Sequence, residues 1–281
     1  MSSEPRPLNV RSDGVALSGE QRGEGPAIVL LHGLSATRRY VVMGSRTLER
    51  SGQQVIAYDA RGHGRSAPAP QRAYGYEQLA DDLAAVLDGA GVRRALLAGA
   101  SMGAHTAVRL ALTHPDRVAA LALITPAFEP DRRSSAQELA AWDALATGLR
   151  EGGVEGFVQA YDLQSLPASW RATVETVLRQ RIAAHEHPAA VADALEVVPR
   201  SRPFEEMSEL AAITVPTLVV ASRDEADPQH PLAVGERYAQ AIPTAQLVVE
   251  DAGPPARSPI AWQGGQLSKL LLELAARVGV A

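Results

Sequence analysis

The sequence predicts an α/β protein: a mostly parallel, twisted sheet flanked by helices, with a block of helices inserted late in the chain. Three observations predict it. Short, continuous apolar runs recur, as expected of parallel strands buried on both faces. Segments with helical spacing of apolar residues separate them, the pattern of crossover connections. From about residue 129 to 209 only helical patterns occur, split by Gly152-Gly153, Pro167, Pro188 and Pro199.

Taken in order, residues 1–9 read as a loose lead-in. Val15 to Gln21 reads as a strand of an opening hairpin with Gly23 and Gly25 in the turn. Ala27-Ile28-Val29-Leu30-Leu31 reads as a central strand, ending in His32-Gly33-Leu34-Ser35. A helix is expected from about Arg38 to Ser51, then a strand Val55–Tyr58 running into Asp59-Ala60-Arg61-Gly62-His63-Gly64-Arg65-Ser66. Tyr76 to Ala90 carries Leu79, Leu83, Val86 and Leu87 on one helical face. Strands follow at Leu96–Ala98, Val118–Ile124, Thr217–Ala221 and Ala245–Val249, and an amphipathic helix is expected from Ala261 to Val278. The domain reading is therefore a core of residues 1–128 and 210–281, with a helical lid at 129–209. Such a lid would lie over the carboxyl edge of the sheet, where open α/β sheets bind ligands.

The stretch that carries chemistry is Gly99-Ala100-Ser101-Met102-Gly103. An apolar run precedes it and a helix-forming run, Ala104 to Leu112, follows. That is the strand–turn–helix setting of a nucleophile elbow. The turn is tight enough that side chains at Gly99 and Gly103 would meet neighbouring backbone, and the serine between them is held strained. The Ser101 hydroxyl is thereby lifted off the sheet edge. The Met102 N–H points to where an oxyanion would form, at the positive end of the following helix.

Composition narrows the function classes. The 281 residues are 46% hydrophobic, enough to bury a large core, and the net charge is −5 with both signs dispersed. No basic stripe points to nucleic acid. With no cysteine, disulfides, thiolate metal sites and cysteine nucleophiles are excluded together. No apolar run reaches the roughly 18 residues of a membrane span, and Met1 to Pro7 has no signal-peptide core. The expectation is a cytoplasmic protein acting on a small molecule, without metal or other cofactor and without nucleic-acid or membrane partners. Oligomeric state is left open.

Together these residues resemble the α/β-hydrolase fold family. The resemblance rests on His32-Gly33, on the Asp59–Ser66 segment, on Gly99–Gly103, and on Ser222-Arg223-Asp224 followed by Pro228. It spans nearly the whole chain, although the lid matches in placement and helical character only. It implies Ser101 as nucleophile, the backbone N–H groups of Leu34 and Met102 as oxyanion hole, and Asp224 as the acid that orients an imidazole. Asp227 competes with Asp224, but it precedes Pro228, and a turn or helix-cap role explains it more easily. His32 and the Arg61–Ser66 turn, with His63, read as structure beside the site, and His105 as a residue pointing into the core. Substrate specificity is expected from lid side chains such as Trp142, Phe157, Tyr161 and Trp170.

One departure bears on function. The family order is serine, acid, histidine, yet the loop Glu250–Pro259 after the last strand holds no histidine, and Pro254 stands in its place. A serine hydroxyl needs a base at neutral pH. His230, six residues after Asp224, is the best candidate for a relocated base. The alternative for it is an exposed residue at a helix start before Pro231. The lid histidines His185 and His187 are expected to be solvated. The leading expectation is a serine esterase or lactonase acting on a small apolar ester. The alternatives are a non-hydrolytic enzyme of cyclase, lyase or proton-transfer type using the same pocket, and a catalytically inactive small-ligand-binding protein.

Overall fold

The computed structural model describes residues 4–131, 135–223, 230–250 and 264–278. Eight strands form one sheet: β1 (Arg6–Ser12), β2 (Val15–Arg22), β3 (Ala27–Leu31), β4 (Gln54–Tyr58), β5 (Ala95–Ala100), β6 (Val118–Ile124), β7 (Thr217–Ala221) and β8 (Ala245–Val249). Their spatial order is β1-β2-β4-β3-β5-β6-β7-β8. The two pairings that involve β2 are antiparallel, and every pairing from β4 to β8 is parallel. The apolar runs are buried along their length in β3, β6 and β7.

Alternate residues of each central strand point to opposite faces, and each face meets its own helices. Val29, Leu31, Leu97, Leu121, Leu123 and Val219 pack with α2 (Tyr76–Gly89), α3 (Met102–Thr113) and α7 (Leu232–Ala241). Ile28, Leu30, Leu96, Ala98, Ala120, Ala122, Leu218 and Val220 pack with α1 (Thr47–Arg50) and α8 (Gly264–Arg277).

Three expectations are corrected. The supposed lead-in is strand β1 from Arg6, because Leu8 is buried and the tight turn at Asp13-Gly14, both at positive φ, closes a hairpin between β1 and β2. Gly23 and Gly25 do not turn a hairpin into β3; β2 pairs with β4 instead, and both glycines let the chain pass against the carbonyls of Gln53 and Gly52. The helix expected at Arg38–Ser51 is a single 3-10 turn at Arg38–Tyr40 and then α1, since Met43 and Gly44 adopt left-handed φ values that stop a helix between them.

The block between β6 and β7 is helical: α4 (Ala136–Ala160), α5 (Ala168–Ile182) and α6 (Pro188–Val197). Ser135 and Glu138 form a reciprocal capping box at the start of α4. Gly153, at φ 59° and ψ −140°, breaks α4 so that its two halves fold back. There Gly148 and Gly156 approach so closely that a Cβ on either would strike the other's backbone. The helices enclose a small core of their own around Leu149, Phe157, Ile182, Val191 and Leu195. A second cluster joins Ala190, Ala194 and Val198 of this block to Ala60, Tyr74, Tyr76 and Met102. Ala60 and Met102 follow β4 and β5 directly, so the helices sit at the carboxyl ends of the strands. Among the described residues, no helix is long and apolar enough to cross a membrane.

Candidate active site

Ser101 stands between β5 and α3 with φ 50° and ψ −113°, a conformation that L-residues adopt only under constraint. The constraint is visible at both glycines. A Cβ on Gly99 would lie 2.2 Å from the Gly103 carbonyl oxygen, and one on Gly103 would lie 2.3 Å from the Leu31 carbonyl oxygen. The Ser101 N–H donates to the Ile124 carbonyl at 2.9 Å, which ties the turn to β6. The serine side chain makes no cap bond to α3, and its Oγ lies 2.9 Å from His230 Nε2. His230 immediately precedes Pro231, the residue that caps α7. It is thus at a helix start, as the alternative reading had it, but half-buried rather than exposed, and on the serine.

The Gly33 loop passes beside this pair. A Cβ on Gly33 would lie 3.4 Å from the Ala100 carbonyl oxygen and 3.5 Å from Ser101 Cβ, ordinary contact distances that place the Gly33–Leu34 peptide directly beside the elbow. Leu34 itself is half-buried against the inserted helices, and Met102 is buried at the first position of α3. That position carries one of the N–H groups a helix cannot satisfy internally. Asp224 and Asp227 lie outside the described residues, as does the segment 251–263.

Four more histidines are buried, and their partners define their protonation. His32 Nε2 accepts from the Ala60 N–H at 2.9 Å, so Nδ1 carries the proton and donates to the Gly33 carbonyl at 2.8 Å. Burial lowers its pKa to about 4. His105 Nε2 accepts from the N–H groups of Ala127 and Phe128 at 3.0 and 3.1 Å, so Nδ1–H donates to Tyr76 Oη at 3.0 Å. Burial, with a smaller contribution from His230, lowers its pKa to about 3. Both residues hold loops that border the serine, and His105 does so from the core-facing side of α3. His63 donates from Nδ1 to the Arg61 carbonyl at 2.9 Å, and its ring sits between those of His32 and His185 at centroid distances of 5.2 and 5.6 Å.

His185 was expected to be solvated and is buried instead. It accepts from the Gly64 N–H at 2.8 Å and donates to the Ser35 carbonyl at 3.2 Å. Nothing in the local sequence signals this, because both partners are more than a hundred residues away. His187 is half-buried and caps α6. Sequence reasoning also missed the buried pair Arg61–Asp82. Two parallel hydrogen bonds of 2.7 Å join the side chains, and a third, of 2.8 Å, runs from Arg61 to the Ala73 carbonyl. The pair anchors the Asp59–Ser66 turn to α2.

Of the expected specificity residues, Phe157 is buried in the core of the insertion, Trp142 and Tyr161 pack half-buried against that core, and Trp170 is half-buried near the start of α5. A cleft of about 660 Å³ lies elsewhere, between the start of α2 and α4 and α6, and is lined by Arg72, Asp143, Glu196 and Arg200. It contains no part of the Ser101–His230 pair. Among the described residues, no group of three or more His, Asp or Glu side chains has the arrangement of a metal site.

Known proteins agree with this architecture. Residues 26–256 match the family model of the alpha/beta hydrolase fold. RutD of Variovorax paradoxus strain S110, provisionally named a carbamate hydrolase, is 30% identical over 91% of this chain and 93% of its own. A thermophilic esterase from Thermogutta terrifontis, solved with malate bound, superposes with a TM-score of 0.78 at 25% identity, over 98% of this chain and 99% of its own. The enol-lactonase from Burkholderia xenovorans LB400 superposes with a TM-score of 0.71 at 25% identity, over 97% and 98%. With the elbow, the sheet order and these matches in agreement, the chain belongs to the α/β-hydrolase fold family.

Proposed function

We propose that the protein is a serine hydrolase that cleaves small carboxylic esters or lactones. The observation that carries this reading is the 2.9 Å contact between His230 Nε2 and Ser101 Oγ. In the first step Ser101 Oγ bonds to the carbonyl carbon while His230 takes the hydroxyl proton. The Leu34 and Met102 N–H groups hold the negative charge on the carbonyl oxygen. Collapse breaks the bond to the leaving oxygen, which receives the proton from His230. Water, deprotonated by the same imidazole, then releases the acid and restores the serine. Asp224 is assigned the orienting carboxylate, and helices α4–α6 the lid, with Trp142, Phe157, Tyr161 and Trp170 shaping specificity. The names of the esterase and enol-lactonase neighbours support acyl transfer at a carbonyl bearing an oxygen leaving group. The name of the RutD relative favours a second substrate class, carbamates, cleaved by the same steps.

The non-hydrolytic and ligand-binding alternatives drew their force from the missing histidine after β8, and an imidazole on the serine weakens both. The test uses short-chain p-nitrophenyl esters, a lactone and carbamate panel, and a fluorophosphonate probe. Labelling at Ser101 is expected, absent in Ser101→Ala and slowed by about 10²–10⁴-fold in His230→Ala. A wild-type protein that neither labels nor turns over any member of the panel overturns the reading.

A further inference from the structure

We propose that His185, on the inserted helices, is a positioning residue for the oxyanion hole, so that seating the insertion and presenting the Leu34 amide are one event. The proposal rests on the serine-hydrolase reading for its kinetic consequence, though not for its geometry.

His185 lies in the short link between α5 and α6 and bridges two loops at the carboxyl edge of the sheet. The Gly64 N–H donates to Nδ1 at 2.8 Å, which leaves the proton on Nε2, and Nε2–H donates to the Ser35 carbonyl at 3.2 Å. The next residue reinforces the contact, as the Glu186 N–H donates to the Gly64 carbonyl at 2.8 Å. Ser35 follows Leu34 directly and is held at φ 62°, a left-handed conformation that costs a non-glycine residue about 1 kcal/mol or more. Its surroundings must therefore impose it.

Those surroundings define the Leu34 amide. The Gly33 carbonyl and the Leu34 N–H belong to one rigid peptide unit. That carbonyl accepts from His32 Nδ1–H at 2.8 Å and from the Ala36 N–H at 3.1 Å. The Gly33–Ala36 turn is thus fixed at its first carbonyl by the core, and at its third by His185. The Leu34 side chain packs against both the core of the insertion and the cluster beneath it. Among the described residues no other hydrogen bond reaches the Ser35 carbonyl, so without His185 the turn that aims the amide keeps only the anchors on its first carbonyl and its side-chain packing.

The bridge requires a neutral ring. A second proton would sit on Nδ1, facing the Gly64 N–H, and two donors cannot share that contact. The groups around the ring act in both directions. Burial lowers the His185 pKa, the Asp59 carboxylate raises it and the Arg181 guanidinium lowers it. His63, kept neutral by burial, meets it edge-on, His32, also kept neutral by burial, lies beyond His63, Arg38 is bound to Asp59, and Arg65 and Glu186 pair at the surface. The bridge is expected to survive below the ordinary histidine range and to open in acid.

The experiment compares wild type, His185→Leu and His185→Gln in the full chain. Turnover is normalised to active sites titrated with fluorophosphonate, and amide hydrogen exchange is followed at residues 33–36 and 62–66. In His185→Leu, kcat and the rate of Ser101 labelling are expected to fall together by about 10–100-fold, as for a misaimed catalytic group, with KM changed by less than about 3-fold. Exchange should accelerate at Gly64 and in the Gly33–Ala36 turn. His185→Gln, whose amide can still donate to Ser35, is expected to recover at least half of the loss on a logarithmic scale. A purely structural role would lower melting temperature while leaving kcat per titrated site unchanged, and that outcome overturns the proposal. Unchanged exchange in both segments overturns it too, whether or not the wild type proves to be a hydrolase.

Discussion

Lowering the pH should unfold this protein from the inside, because several imidazoles are buried in neutral form. Burial holds His32 at a pKa of about 4 and His105 at about 3, and drives His63 well below its ordinary value. In the unfolded chain each titrates near 6.5. The native state therefore binds fewer protons than the unfolded state below about pH 6.5, and stability must fall as pH falls. At about pH 5.5 each such group costs on the order of 1 kcal/mol relative to pH 8, so together they remove several kcal/mol. That is a large part of the roughly 5–15 kcal/mol by which a domain is ordinarily stable. Urea unfolding followed by tryptophan fluorescence, repeated from about pH 8 to pH 5, measures it. The slope should be about three protons or more taken up per molecule on unfolding, since His185, also lowered by burial, adds in the same direction, and His105→Gln should reduce it by about one. A free energy at about pH 5.5 within 1 kcal/mol of that at pH 8 would refute the argument, since it would mean that the rings are protonated in the native state or reach water.

Two further substitutions probe the supports of the site. Asp82→Ala leaves the Arg61 guanidinium buried beside a lost partner, with both side chains fully inaccessible in the native protein. It should cost about 3–5 kcal/mol and lower the melting temperature by on the order of 10 °C, measured by calorimetry; a drop under about 2 °C would show that the pair is not held as described. Gly103→Ala places a Cβ 2.3 Å from the Leu31 carbonyl oxygen, a backbone atom that cannot step aside. It should cost more than about 4 kcal/mol or yield insoluble protein, while Gly152→Ala, with nothing within 4 Å of the added carbon, should be neutral or stabilising by up to about 1 kcal/mol.

The strands and the elbow were legible because their signals are local. A run such as Ala27–Leu31 is apolar at every position, which suits only a strand covered on both faces, and the glycines around Ser101 mark a turn that excludes any Cβ. The sheet neighbours of β2 were not legible. Pairing depends on which chain lies alongside, and β4 displaced β3 from that place. The segment Arg38–Ser51 misled because its helical spacing is interrupted by two left-handed residues, one of them Met43, whose type gives no warning.

The candidate site divides along the same line. From the sequence alone come the serine, its turn, the His32-Gly33 pair beside it, and the absence of a histidine after β8, because each follows from residue types at fixed spacing. Only the tertiary structure could bring His230 across 129 residues to within 2.9 Å of Ser101, bury His185 between Gly64 and Ser35, and seal Arg61 against Asp82. A buried polar group must find its partner wherever the fold provides one, and the distance along the chain to that partner leaves no trace in the residues on either side.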